Sequence, residues 1–176
     1  GRHWATWQFL ETHGVTAKAQ QGFCFPHEVR ETQDKGLGVF ACAAIRKGSI
    51  VWRHVPGRYT VYDEPTFRAA IKDMTHADIV HELTHVFGLR EFPGCLIRVH
   101  DDGVLINHSD KANLATNNSA PIALSLDPAS SRYLHEVTEA LRDDRYALVA
   151  TRDIAEGEEL TNDYAGDVVD PPFYDA

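Results

Sequence analysis

Apolar positions along this chain switch between helical and alternating spacing several times. Residues 3–20 carry Trp4, Trp7, Phe9, Leu10 and Val15 among polar residues, a loose helical pattern weakened by Gly14, and predict an N-terminal helix packed on the main body. A β-like stretch follows. Residues 29–32 lead into a Gly36-Leu37-Gly38 turn and then 39–43, and Ile45-Arg46-Lys47-Gly48 turns into 49–54, rich in strand formers. Residues 65–73 and 77–87 read as helices. Pro65 suits a first helical turn after Asp63-Glu64, Ile79, Leu83 and Val86 recur at helical spacing, and Gly88 is the expected C-terminal stop. Strands are expected at 95–100, after an Asp102-Gly103 turn at 104–106, at 121–126 and at 146–151, with a further helix over 131–142. There are no repeats. Many short strands with helices confined to inserts predict a mainly β, α+β architecture.

With 176 residues, 43% of them hydrophobic, the chain is expected to bury one core as a single domain spanning 1–176. No run approaches the roughly 18–20 apolar residues of a membrane span, and no secretory h-region with a cleavage site is visible. Cys24, Cys42 and Cys95 are odd in number and widely spaced, which argues against a disulfide framework or a four-cysteine zinc site. The expectation is a soluble protein of a reducing intracellular compartment, cytoplasm or nucleus. A formal charge of -9 weighs against direct nucleic-acid binding and favours a cationic partner such as a basic peptide. The same charge also suits a plain solvated surface.

Three segments carry the chemistry: Lys35-Gly36-Leu37-Gly38-Val39-Phe40-Ala41, Asn107-His108-Ser109, and Gly157-Glu158-Glu159-Leu160-Thr161-Asn162-Asp163-Tyr164. In that order they resemble the signature of SET-domain protein lysine methyltransferases. The resemblance covers roughly 27–60 and 93–166, with 61–92 as a helical insert, 1–26 as an N-terminal helical flank and 167–176 as a tail. It implies small curved sheets with a threaded, pseudoknot-like C-terminal segment. It also implies methyl transfer from S-adenosylmethionine (AdoMet) to a lysine of a basic protein or peptide, histone tails included, leaving S-adenosylhomocysteine. A membrane or nucleic-acid partner is not implied.

A Gly-x-Gly turn lets backbone approach a ligand closely. By the resemblance, Gly36, Leu37 and Gly38 line the methionine end of AdoMet, Asn107 contacts the same portion, and the His108 backbone contacts adenine. An Asn ending the apolar run Val104-Leu105-Ile106 must satisfy both amide donor and acceptor, as a turn cap also would. Trp52 either flanks the cofactor or packs in the core. The family pattern Asn-His-Ser-Cys-x-Pro-Asn is altered here: Asp110 replaces Cys and Ala112 replaces Pro, while Asn113 is retained. No cysteine follows Cys95, so no zinc is expected there, and Phe173 and Tyr174 are the candidates for closing the cofactor pocket, unless the tail is frayed.

The last motif implies that Tyr164 is the active-site tyrosine; Asn162 stands where an aromatic is usual. His54 occupies a position where many relatives carry a channel tyrosine, so His54, Tyr59 and Tyr62 are the candidate substrate-binding residues. Two rival readings remain. His81-Glu82-Leu83-Thr84-His85 matches the His-Glu-x-x-His pattern of zinc peptidases, with Glu82 as base, although Glu91 stands where the extended form needs a third histidine. The altered positions also suit a SET-like binding module without turnover.

Overall fold

The protein is seen in a computed structural model that describes residues 22–117, 127–165 and 168–169. The expected helix of 3–20, the expected strand of 121–126, and Phe173 and Tyr174 lie outside the described residues. In chain order the first strands are β1 (His27–Glu31), β2 (Leu37–Ala41), β3 (Ile50–Trp52), β4 (Tyr59–Tyr62), β5 (Val86–Leu89) and β6 (Leu96–Val99). They are followed by β7 (Asn107–His108), β8 (Leu114–Thr116), β9 (Leu148–Ala150), β10 (Thr161–Asn162) and β11 (Val168–Val169). The helices are α1 (Glu64–Ile71), α2 (His76–Leu83) and α3 (Tyr133–Ala140).

β1 and β2 form an antiparallel hairpin, with Val29 opposite Val39. Its turn places Gly36 at φ 75°, where a β-carbon would be strained. The outer edge of β2 is fastened to the C-terminal motif: Leu160 N–H donates to the Val39 carbonyl at 2.8 Å and Ala41 N–H to that of Glu158 at 3.0 Å. A five-stranded sheet runs β3-β9-β8-β10-β7, and a four-stranded one β11-β5-β6-β4. Val39, Ile45, Ile97, Leu114, Ile154 and Leu160 are essentially solvent-free and hold these layers together.

β10 is parallel to both neighbours, pairing Thr161 with Asn107, and Asn162 with His108 and Leu114. β7 and β8 are successive strands, so residues 109–113 must cross the strand inserted between them. This is the threaded crossing expected from the motifs. Asn113, 1% exposed, locks it. Its Nδ2 donates to the Glu159 carbonyl (2.7 Å) and to Glu158 Oε1 (3.1 Å), and its Oδ1 accepts Thr161 N–H (3.0 Å). The Arg152 guanidinium, together with the Ala155 N–H and Asn113, holds the Glu158 carboxyl down to about 2.

α1 begins as its sequence predicts. Asp63 Oδ1 accepts Thr66 N–H at 2.9 Å, and Thr66 Oγ1 accepts Asp63 N–H at 3.0 Å. α2 stops four residues earlier than its periodicity predicts, capped at Thr84. Val86 and Phe87 instead pair with Arg98 and Ile97 in β6, because a β-branched residue and an aromatic find strand partners there. Gly88 is therefore mid-strand and not a helix stop; a β-carbon on it would meet the Val169 carbonyl oxygen at 2.6 Å. Residues 104–106 are also not a strand. The carboxylate of Asp101 collects the N–H groups of Gly103 (2.8 Å) and Gly22 (2.7 Å) and the indole N–H of Trp52 (3.1 Å), winding Asp102–Leu105 into a 3-10 turn. That turn leaves Asn107 at the start of β7.

Candidate active site

The crossing of β2, β7 and β10 brings the three motifs to one place. Asn107 Nδ2 donates to the Leu37 carbonyl at 3.0 Å and to Glu159 Oε1 at 2.9 Å. Gly38 has no room for a side chain: a β-carbon would lie 2.8 Å from Glu159 Oε1 and 3.0 Å from Asn107 Nδ2. The glycine is thus required for close approach of these two side chains to the β2 backbone. Oδ1 of Asn107 takes no partner among the described residues and keeps its acceptor capacity. The His108 carbonyl already accepts an exposed ammonium, that of Lys35, at 3.0 Å.

Tyr164 follows β10 directly, so strand pairing delivers it beside β7. Its hydroxyl donates to the Ile106 carbonyl, its N–H to His108 Nδ1 at 3.3 Å, and the two rings lie 5.5 Å apart. The residue as a whole is 41% exposed, but the phenol end points inward, and burial pushes its pKa upward. It therefore stays a neutral hydroxyl at physiological pH.

Tyr164 borders an apolar cleft of about 270 Å³. Trp52, His54, Val104 and Ile106 wall it from the two SET-like parts. Val86 and Phe87 contribute the other wall, from the strand that leaves the helical insert. Trp52 is a core residue, 5% exposed and bonded to Asp101, and it also lines the cleft.

The three candidate substrate residues separate. His54 lines the cleft, is 6% exposed, and stands edge-on to Trp52 at 4.6 Å. Burial pushes its imidazole down to about 4; the Tyr146 backbone offsets this slightly without meeting hydrogen-bond geometry, and both ring nitrogens are unpartnered. Tyr59 does not line the cleft. Its hydroxyl donates to the Thr138 carbonyl at 2.6 Å and its ring backs His54 at 5.2 Å, so it supports the floor from the core side. Tyr62 also lies away from the cleft, packed on Phe67 at 5.6 Å in the small cluster under the insert. Neither tyrosine brings a hydroxyl to the cleft lining.

The His-Glu-x-x-His segment is otherwise engaged. α2 ends at Leu83, His85 Nδ1 is bonded to the His81 carbonyl at 2.6 Å, and Arg98 Nε donates to Glu82 at 2.8 Å. Burial raises the Glu82 carboxyl, but Arg98 and the two imidazoles more than reverse this and leave it below its ordinary value, a poor general base. Among the described residues no group of three or more His, Cys, Asp or Glu side chains is placed to hold a metal ion. Two contributors were not singled out from sequence: the Glu159 carboxylate on Asn107 and the Ile106 carbonyl on Tyr164. Glu159 lies inside the last motif, which was the available signal; a carbonyl has none.

The SET domain family model matches residues 36–165. The fold is similar to that of the methyltransferase domain of human histone-lysine N-methyltransferase SETMAR, with 24% identity and TM-score 0.52, over 82% of this chain and 46% of that one. It is also similar to the Neurospora SET domain protein DIM-5, a histone lysine methyltransferase, with 22% identity and TM-score 0.51, over 85% of this chain and 55% of that one. The chain thus spans about half the length of these two structures. A search of curated protein sequences found no match. Motif order, the threaded crossing and the family match lead to one conclusion: this chain belongs to the SET-domain family.

Proposed function

We propose that the protein is an AdoMet-dependent protein-lysine N-methyltransferase acting on a basic protein or peptide. The observation that carries this reading is the adjacency across β7 and β10. Asn107, bonded to the Leu37 carbonyl of the Gly36–Gly38 segment, lies on β7, and Tyr164, bordering the cleft, follows β10. A donor held at the first and an amine entering through the second would meet at the phenol. The two similar structures, described as histone-lysine methyltransferases, agree with this reading.

AdoMet, when bound, supplies a methyl carbon already activated by its sulfonium. What the chain must do is deliver a neutral amine in line with it. Lysine with an ordinary pKa of about 10.4 costs roughly 4–5 kcal/mol to deprotonate at neutral pH. The apolar walls of the cleft favour the uncharged amine, so no strong base is needed. With AdoMet bound, the amine lone pair would take the methyl carbon while the S–C electron pair stayed on sulfur, and the ammonium formed would release its proton to water. The Tyr164 oxygen and Ile106 carbonyl can hold the methyl hydrogens through weak C–H···O contacts. Fixed geometry supplies much of the remaining acceleration.

Substrate class follows from charge: at -9 the chain suits lysine- and arginine-rich segments, histone tails among them. A reducing compartment, cytoplasm or nucleus, agrees with free thiols exposed at Cys24 and Cys42. The test combines AdoMet calorimetry with mass spectrometry of methylated peptides. Wild type should bind AdoMet and add 14 Da increments (about the mass of CH₂) to lysine, while Tyr164→Phe should lose most turnover, at least about 100-fold, and keep AdoMet binding. Full turnover by Tyr164→Phe removes the tyrosine assignment. Binding without turnover in wild type would leave a SET-like binding module.

A further inference from the structure

The end of α2 carries two histidines that methyl transfer does not use. Between them, Glu82 is bonded to Arg98 at 2.8 Å and is withdrawn as a ligand. His81 and His85 keep their rings together, with centres 4.2 Å apart. Positions four residues apart share a helix face, and Thr84 holds helical backbone up to His85.

The surroundings of His85 fix its tautomer. The His81 carbonyl lies 2.6 Å from Nδ1, and a carbonyl only accepts, so that nitrogen carries the hydrogen. The Thr84 hydroxyl donates to the same carbonyl at 2.8 Å, leaving its oxygen as a second acceptor 3.0 Å from Nδ1. In the neutral ring Nε2 then bears the lone pair, and it takes no hydrogen bond among the described residues. An imidazole oriented by Nδ1–H on a backbone carbonyl, with Nε2 open, is arranged as a metal ligand is.

We propose that His81 and His85 form a two-imidazole site for one divalent transition-metal ion at the wall of the cleft, and that the bound ion hinders entry of a cationic side chain. Ring spacing selects among the metals. An ion about 2.1 Å from a nitrogen of each ring sits roughly 3.2 Å from each ring centre. Centres 4.2 Å apart then subtend about 80° at the ion. That is close to the ~90° between neighbouring ligands of tetragonal nickel(II) or copper(II), and short of the ~109° of tetrahedral zinc. The stability order of divalent metals on nitrogen ligands also favours those two ions over zinc or magnesium. The described residues supply no third ligand, so water fills the other positions and affinity should be modest, on the order of 10 µM.

Thr84 and His85 line the cleft that Tyr164 borders. An ion held by His85 sets positive charge beside the path of a lysine ammonium and repels it. This consequence rests on the methyltransferase reading above, whereas the site itself does not.

The experiment titrates Ni²⁺ into the full chain by calorimetry, as wild type, His81→Ala and His85→Ala. His81 is exposed, so its replacement should leave the fold intact, which thermal melts check. Wild type should bind one Ni²⁺, each variant should bind it at least about tenfold more weakly, and Mg²⁺ should give no saturable heat. Saturating Ni²⁺ should raise the melting midpoint of wild type and not that of His81→Ala. With AdoMet and a lysine peptide, saturating Ni²⁺ should slow wild type at least about fivefold and leave His81→Ala near its metal-free rate. No saturable Ni²⁺ binding below about 1 mM, or undiminished affinity in either variant, overturns the site. Binding at the pair with no effect on turnover overturns the obstruction. A wild type that binds Ni²⁺ yet methylates no peptide overturns the methyltransferase reading, and the obstruction with it, while the site stands.

Discussion

Two buried polar side chains, one at the crossing and one at the cleft floor, have opposite fates. Asn113 is 1% exposed and meets the Glu159 carbonyl, the Glu158 carboxylate and the Thr161 N–H. His54 is 6% exposed, packed against aromatic rings, and neither of its ring nitrogens has a hydrogen-bond partner. The first pattern is that of a structural clamp, since every bond joins two segments that must stay crossed. The second is that of a site with an unmet requirement. A buried polar group whose partners lie in its own chain serves the fold; one facing a cavity without partners is a reason to look for a ligand.

The largest effect should come from cutting the clamp. Asn113→Ala strands the Thr161 N–H and the Glu159 carbonyl, and should cost roughly 2–4 kcal/mol in denaturant melts. A loss under about 0.5 kcal/mol, within the range of an ordinary surface substitution, would end the clamp assignment. Asn107 is the intermediate case, bonded through Nδ2 but open at Oδ1. Asn107→Ala should weaken AdoMet binding at least tenfold, about 1.4 kcal/mol, as measured by calorimetry. Its melting midpoint should move far less than that of Asn113→Ala.

At the cleft floor the sign reverses. His54→Phe removes two orphaned nitrogens from an aromatic setting and should raise stability by about 1 kcal/mol. The pH profile sharpens this. Because folding lowers the imidazole to about 4 from the ordinary 6.5, the unfolded chain takes up the proton first. The stability contribution is full above 6.5 and is lost as pH falls toward about 4; His54→Phe should lack that slope. The smallest effect belongs to Glu158, held at about 2 against an ordinary 4.5. Its contribution is present above 4.5 and declines as pH falls toward about 2, so Glu158→Gln should flatten only this more acidic limb in urea melts.

Much of the site was legible because it is built from contiguous motifs. Gly38 is required by close approach, Asn107 by hydrogen bonding at a strand start, and Tyr164 by its place after β10; each reads from a short segment. The fold was partly legible for similar reasons: Asp63, Pro65 and Thr66 mark a helix start through local bonds alone. The misplacements occurred where a distant partner decided. Val86 and Phe87 satisfy helical spacing in sequence but find β6 in space. Val104 to Ile106 look like a strand until Asp101, through bonds to Gly22, Gly103 and Trp52, winds the preceding backbone into a turn. Tyr59 and Tyr62 were candidate channel residues through the family resemblance, yet pairing with Val99 and Leu96 in β6 carries neither into the cleft lining.

By itself, the sequence determined the motifs, their order and, through their resemblance, the family, and it marked Gly38, Asn107 and Tyr164, because each is read from a short contiguous segment. The tertiary structure decided which residues share a cavity and which buried polar atoms are satisfied. Those outcomes depend on pairings between strands far apart in the chain, such as β10 lying between β7 and β8. A histidine at position 54 is readable from sequence; that neither of its ring nitrogens has a partner depends on how Trp52, Tyr59 and Tyr146 close around it.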